Sequence, residues 1–167
     1  MSFAFARKYG DRLKALVLAD TRAQADSPAG RTGRFHLAQT AFNQGGEAVA
    51  DIMLPKLLGP TSPQTKENLV RHVREMILAA PVSGIVVDLM AMAARSDAVP
   101  FLRAISCPTL VLIGQEDNTT PMVDSQLMAK EISGAQLTVI PSADHLSNLE
   151  QPDVFNDLVK GFVEGLR

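Results

Sequence analysis

The sequence predicts an α/β fold: a three-stranded parallel sheet with flanking helices and a helical insertion in the middle of the chain. Three observations carry this. Apolar runs of strand length lie near 13–19, 109–113 and 136–140, the second bounded by Pro108 and Gly114 and the third ended by Pro141. The second and third are separated by one helix-length segment, so strand, helix and strand follow within about 32 residues, which reads as a parallel pair with a right-handed crossover. Roughly ninety residues between Asp20 and Pro108 are far too many for a plain connection, and their apolar spacing is helical throughout.

Taken in order, Phe3–Tyr9 reads as the end of a helix. The run 13–19 is nearly continuous in apolar residues, as a strand covered on both faces should be. Helices are expected over 31–43, 47–58, 63–79 and 82–94, with a short one over 99–105. Their breaks fall at Gly45-Gly46, Gly59-Pro60, Pro81 and Pro100. Met122–Ile132 is the crossover helix. In 136–140, Gln136 and Thr138 alternate with Leu137 and Val139, which suits a strand with one wetter face. Val154, Phe155, Leu158, Val159, Phe162, Val163 and Leu166 form the stripe of a last helix, with Pro152 in its first turn. The domain reading is a core of 1–20 with 106–167 and a helical cap of 21–105. Met53, Met76, Met90 and Met92 in that cap suit an adaptable apolar surface over a substrate pocket.

Composition narrows the function classes. With 46% hydrophobic and 20% charged residues, the 167-residue chain is an ordinary globular one, not a disordered tail. A formal net charge of −2 gives no electrostatic reason to expect nucleic acid or an anionic membrane. One cysteine, Cys107, forms no internal disulfide, and no run reads as a membrane span or a leader, so the expectation is a cytoplasmic protein. Without a Cys or His cluster, no metal site is proposed, and no cofactor is implied.

In open parallel sheets, ligands bind outside the carboxyl ends of the strands. Asp20, Asp117 and His145 follow the three predicted strands in turn. An Asp and a His on successive strand ends of one unit can meet. Such a pair has a use: a neutral imidazole takes a proton from a nucleophile and returns it to the leaving group, while a buried carboxylate fixes the tautomer and stabilises the imidazolium. Read singly, Asp117 is equally a turn or cap aspartate and His145 a loop histidine. His36 and His72, on cap helices, read as solvated. Cys107 lies at the amino end of its strand, away from such a site.

The segment Cys107-Pro-Thr-Leu-Val-Leu-Ile-Gly-Gln-Glu-Asp117-Asn-Thr-Thr-Pro121 resembles the acid-bearing strand and turn of the α/β-hydrolase superfamily. Ala143-Asp-His145-Leu-Ser-Asn-Leu-Glu-Gln-Pro152 is similar to its histidine loop, and Phe5–Asp20 to the helix after its nucleophile and the next strand. Ala25-Asp26, Arg31, Arg34 and Arg95-Ser-Asp97 resemble the 3-oxoadipate enol-lactonase and carboxylesterase-like branch. The resemblance spans essentially the whole chain. It implies a truncated α/β-hydrolase in which Asp117 is the triad acid and His145 the base, acting on a small apolar ester or lactone.

The chain departs from the pattern in one essential respect. The family's serine sits in a Gly-x-Ser-x-Gly turn, and this sequence has none; by the family's spacing it would fall about four or five residues before Met1. Ser2, Ser142 and Ser147 are the weak local candidates for a nucleophile. Another chain or activated water is a further source. Asp144 stands where relatives usually have glycine and is expected to face solvent. The alternative is a catalytically incomplete remnant that folds and self-associates, and related chemistry such as dehalogenation or cofactor-free peroxidation is a weaker third reading. The first strand has only Lys14 to blunt its edge, so a homo-oligomer is expected.

Overall fold

A computed structural model describes residues 2–60, 62 and 66–166. Their contacts divide into two compact units, Met1–Gln24 with Ala98–Arg167, and Ala25–Asp97. The first unit holds helix α1 (Ser2–Tyr9), strand β1 (Leu16–Ala19), a 3-10 segment (Val99–Ala104), strand β2 (Thr109–Gly114), helix α5 (Met122–Glu131), strand β3 (Gln136–Ile140), and helices α6 (Ser147–Glu150) and α7 (Pro152–Glu164). The second holds α2 (Pro28–Leu57), α3 (Glu67–Ala79) and α4 (Val82–Ala93).

The sheet runs β1-β2-β3 and is parallel throughout, with Leu18 opposite Val111 and Val111 opposite Leu137. All six residues of β2 are buried, because this strand is paired on both sides and covered on both faces. On one face, Leu16, Leu18 and Val111 pack with Leu102 in the 3-10 segment, Ile105 just after it, Met128 in α5 and Ile132 at its end. On the other, Leu110, Leu112 and Ile140 pack against Phe155, Leu158, Val159 and Phe162 of α7. Of the stripe read in the last helix, Phe155, Leu158, Val159 and Phe162 face the sheet, while Val154, Val163 and Leu166 are exposed.

Several expectations are adjusted. The strand expected over 13–19 begins only at Leu16, since Leu13 donates its N–H back to Gly10 and closes a 3-10 turn. Ladder bonding starts with Leu16 N–H to Pro108 O, 2.9 Å. In β3 the alternation fails: Val139 is 41% exposed, because this strand lies at an edge of the sheet, while Leu137 packs into the first core cluster. The core also extends beyond 1–20 and 106–167. Ala98 N–H bonds Ala23 O at 2.9 Å, and Leu102 is fully buried, so the chain segments flanking the insertion belong to the sheet unit.

In the second unit, the helices expected over 31–43 and 47–58 form one element, α2, broken at Gly45. Gly45 has φ +80°, a conformation that favours a residue without Cβ. α2 starts earlier than its apolar spacing suggests because Ser27 caps it, its Oγ accepting from Gly30 N–H at 3.1 Å, and Pro28 occupies the first turn. Small residues, Ala38, Ala41, Ala50 and Ala93, are buried where α2 meets its neighbours. The expected start of a helix at Pro63 lies outside the described residues; α3 is helical from Glu67. No single helix among the described residues is long and apolar enough to cross a membrane.

This layering predicts a contrast. Leu112→Ala empties a wholly buried position and should cost about 3 kcal/mol, whereas Val139→Ala at the exposed edge should cost less than about 1 kcal/mol. Urea unfolding monitored by circular dichroism checks both values.

Candidate active site

The site residues are placed by the carboxyl ends of the strands. β2 ends at Gly114, and the chain turns at once: Asp117 N–H donates to Gly114 O at 3.1 Å. Above it lies the loop that leaves β3, docked by Gln115 N–H to Ile140 O and Glu116 N–H to Ala143 O, each 2.9 Å. Gly114 is required here, because a Cβ at this position would collide with the backbone carbonyls of Ala143 and Asp144. The two turns are thus held in contact by backbone bonds before any side chain is considered.

Asp117 and His145 meet as the sequence predicts. His145 Nδ1 lies 3.0 Å from Asp117 Oδ2. Asp117 Oδ1 accepts from the N–H groups of Thr119 and Thr120, each at 2.8 Å, and Oδ2 accepts from Thr120 Oγ1 at 2.6 Å. Four donors therefore converge on one carboxylate, which fills its accepting capacity. Burial works to raise the Asp117 carboxyl, but the bonds from His145 and Thr120 outweigh it and hold the group below its ordinary range. An ionised Asp117 fixes the proton of a neutral imidazole on Nδ1. The Asp117 side chain is fully enclosed while that of His145 is 20% exposed, and Nε2 bonds to no described residue.

The three candidate serines are not brought to this pair. Ser2 is exposed at the start of α1. Ser142 is exposed with φ +53°, and its carbonyl accepts from Gln151 Nε2 at 3.1 Å. Ser147 is fully buried, and its Oγ donates to Asp20 Oδ2 at 2.5 Å. Asp20, the other strand-end carboxylate, is likewise not joined to His145; it also accepts Gly114 N–H on Oδ1 at 2.9 Å. Burial, the largest influence, raises its carboxyl in spite of these bonds. His36 and His72 are exposed, as expected.

One expectation is overturned. Asp144 does not face solvent. It is buried, its Oδ1 accepts the backbone N–H of His145 at 2.7 Å, and its own N–H donates to the buried Glu150 Oε2 at 2.6 Å. The tight loop folds this side chain inward beneath His145. Burial raises its carboxyl against the bonds it receives. Thr120 was the residue sequence reasoning missed, although its spacing, three after an aspartate in a turn, is a recognisable signature.

The pH dependence follows from Asp117. Its folded pKa is lowered, so the stability it contributes is present above its unfolded value and is lost as pH falls through the folded one. Thr120→Ala removes a bond that favours the ionised form. The variant should lose about 1 kcal/mol at pH 7, and the part of its stability that falls with acid should be smaller than the parent's and be complete at a higher pH. Urea unfolding across pH 3–7 and a 13C titration of the Asp117 carboxyl measure the two effects.

The model of the alpha/beta hydrolase family matches residues 3–158. The chain is 34% identical to 3-oxoadipate enol-lactonase 1 of Acinetobacter baylyi over 101 residues, covering 60% of this chain and 37% of the relative. It is 26% identical to that organism's 3-oxoadipate enol-lactonase 2 over 156 residues, covering 93% and 57%. The structure of a thermophilic esterase from Thermogutta terrifontis superposes with a TM-score of 0.94 at 38% identity, over 98% of this chain and 60% of that one. The chain spans three fifths or less of the length of each. With a family match across nearly its whole length and a superposable fold, this chain belongs to the α/β-hydrolase family.

Proposed function

We propose that the chain carries the acid and base of a carboxylic-ester or lactone hydrolase, with Asp117 and His145 serving a nucleophile from outside residues 1–167. The observation that supports this most is the imidazole itself: Nδ1 is engaged by a four-donor carboxylate and Nε2 is left open. In such a reaction Nε2 takes the proton of an attacking hydroxyl as the acyl carbon is attacked. The imidazolium, balanced by Asp117, then returns that proton to the departing alkoxide, and water repeats the cycle on the acyl intermediate. The names of the relatives, enol-lactonases and an esterase, favour carboxylic esters and lactones as the substrate class.

A specific observation favours a second reading, a remnant without activity. None of Ser2, Ser142 and Ser147 bonds to His145, and Ser147 is committed to Asp20. The residues 1–167 alone should therefore turn over p-nitrophenyl butyrate or dihydrocoumarin at near the background rate. Reading the coding sequence upstream of Met1 separates the two: an in-frame Gly-x-Ser-x-Gly supports the hydrolase. The longer product should then be active and lose roughly 10⁴-fold or more in kcat on His145→Ala. Robust turnover by residues 1–167 would overturn the assignment of an outside nucleophile.

Self-association is proposed on separate ground. β1 pairs with β2 on one side only among the described residues, and alternation turns the N–H groups of Val17 and Ala19 to the open side. Light scattering over a dilution series should show a dimer or larger closed oligomer. Val17→Pro, which removes one outward N–H, should shift it toward monomer. A parent chain monomeric at every concentration defeats the proposal.

A further inference from the structure

We propose that Asp20 is the positioning residue of the site, a carboxylate that sets the His145 loop against the Asp117 turn without touching either side chain. This rests on the reading of Asp117 and His145 as an acid–base pair. Asp20 stands just past β1, at φ +44°, a left-handed conformation uncommon for a residue with a Cβ. From there its two oxygens point to different elements. Oδ1 accepts Gly114 N–H, three residues before Asp117. Oδ2 accepts both Ser147 Oγ–H at 2.5 Å and Ser147 N–H at 3.3 Å, two residues after His145. One side chain therefore registers the chain on both sides of the pair.

The geometry gives this contact leverage. Ser147 opens α6, and its hydroxyl is fully buried, so no water replaces Asp20 as its acceptor. The His145 ring is 20% exposed, and its orientation within the site depends on the backbone that carries it and on the bond to Asp117. The backbone bond from Glu116 N–H to Ala143 O fixes the near end of the loop. Asp20 fixes the far end. Without it, the far side of the segment bearing His145 is held only through the bond from Asp144 N–H to Glu150 and the helix that follows, and the 3.0 Å bond to Asp117 becomes one of several available orientations.

The tautomer of His145 reads this role directly, since a side chain that only stabilised the fold would not change which ring nitrogen holds the proton. The chain has three histidines, and His36 and His72 are exposed, so they serve as internal references. Long-range 1H–15N correlation on the 15N-labelled chain, at a pH where imidazole is neutral, should show His145 protonated at Nδ1. Asp20→Asn keeps the shape but only one accepting oxygen, and should raise the share of the Nε2–H form about tenfold, with His36 and His72 unchanged. Ser147→Ala removes one arm of the clamp and should raise it about threefold; it decides alone if Asp20→Asn fails to fold. Asp117→Asn is the control for the underlying pair. If it abolishes the Nδ1 preference while Asp20→Asn and Ser147→Ala leave it intact, the positioning role is overturned and the pair stands. If Asp117→Asn changes nothing, the pair itself fails and the positioning role falls with it.

Discussion

The carboxyl edge of this unit depends on how β2 is held. Thr109–Gly114 is paired in register with a strand on either side and sealed by apolar side chains above and below. A strand so enclosed cannot slide by one residue without turning every side chain to the wrong face. Its end point is therefore fixed, and with it Gly114. Because Gly114 has no side chain, the loop from β3 rests directly on its backbone. Gly114 also gives its N–H to Asp20 and its carbonyl to the turn that presents Asp117. The distance between Asp117 and His145 is set first by strand register and backbone contact, and only then by the attraction of the two side chains.

That arrangement crowds acids. Asp117 works to raise both Asp20 and Asp144, and Glu150 works to raise Asp144. Like charges in a partly dry place are costly unless each is given donors. The fold distributes them unevenly. Asp117 receives four and is held below its ordinary range, whereas Asp20 and Asp144 receive fewer for the burial they suffer and are raised. The carboxylate with the most donors is the one that faces the imidazole. An acid that stays ionised beside a histidine stabilises its charged form, and the donor count, not burial alone, decides which of the acids does so.

The sequence disclosed much of this because the informative residues lie in short, strongly patterned segments. The apolar runs of β2 and β3, their terminal glycine and proline, and the interposed helix determine a parallel pair, and a parallel pair brings residues after its strands together. Asp117 and His145 were readable on that account. Asp144 was not, because whether a loop side chain folds in or out depends on backbone torsions and on Glu150, whose own burial has no periodic signal. Val139 was misassigned because alternation reports two faces but not whether the strand is an edge. Asp20 was visible as a strand-end acid. Its partners were not, since Ser147 and Gly114 are 127 and 94 residues away in the chain.

Those separations explain why carboxylates recur at the junctions of this fold. Asp26, at the start of the helical unit, is buried and bonds Arg34 Nε at 2.9 Å, with Arg95 at the far end of the same unit 3.7 Å away. Asp20 does the equivalent in the sheet unit. Bringing distant segments together carries a loop-closure cost that grows only slowly with length, so one contact can join ends almost as cheaply across a hundred residues as across thirty. An apolar contact would serve for cohesion but would tolerate sliding. A carboxylate with donors on each oxygen accepts one geometry, and losing either partner leaves a buried group unsatisfied. The acids after β1 and β2 complete at the edge the specification that β-pairing begins in the middle.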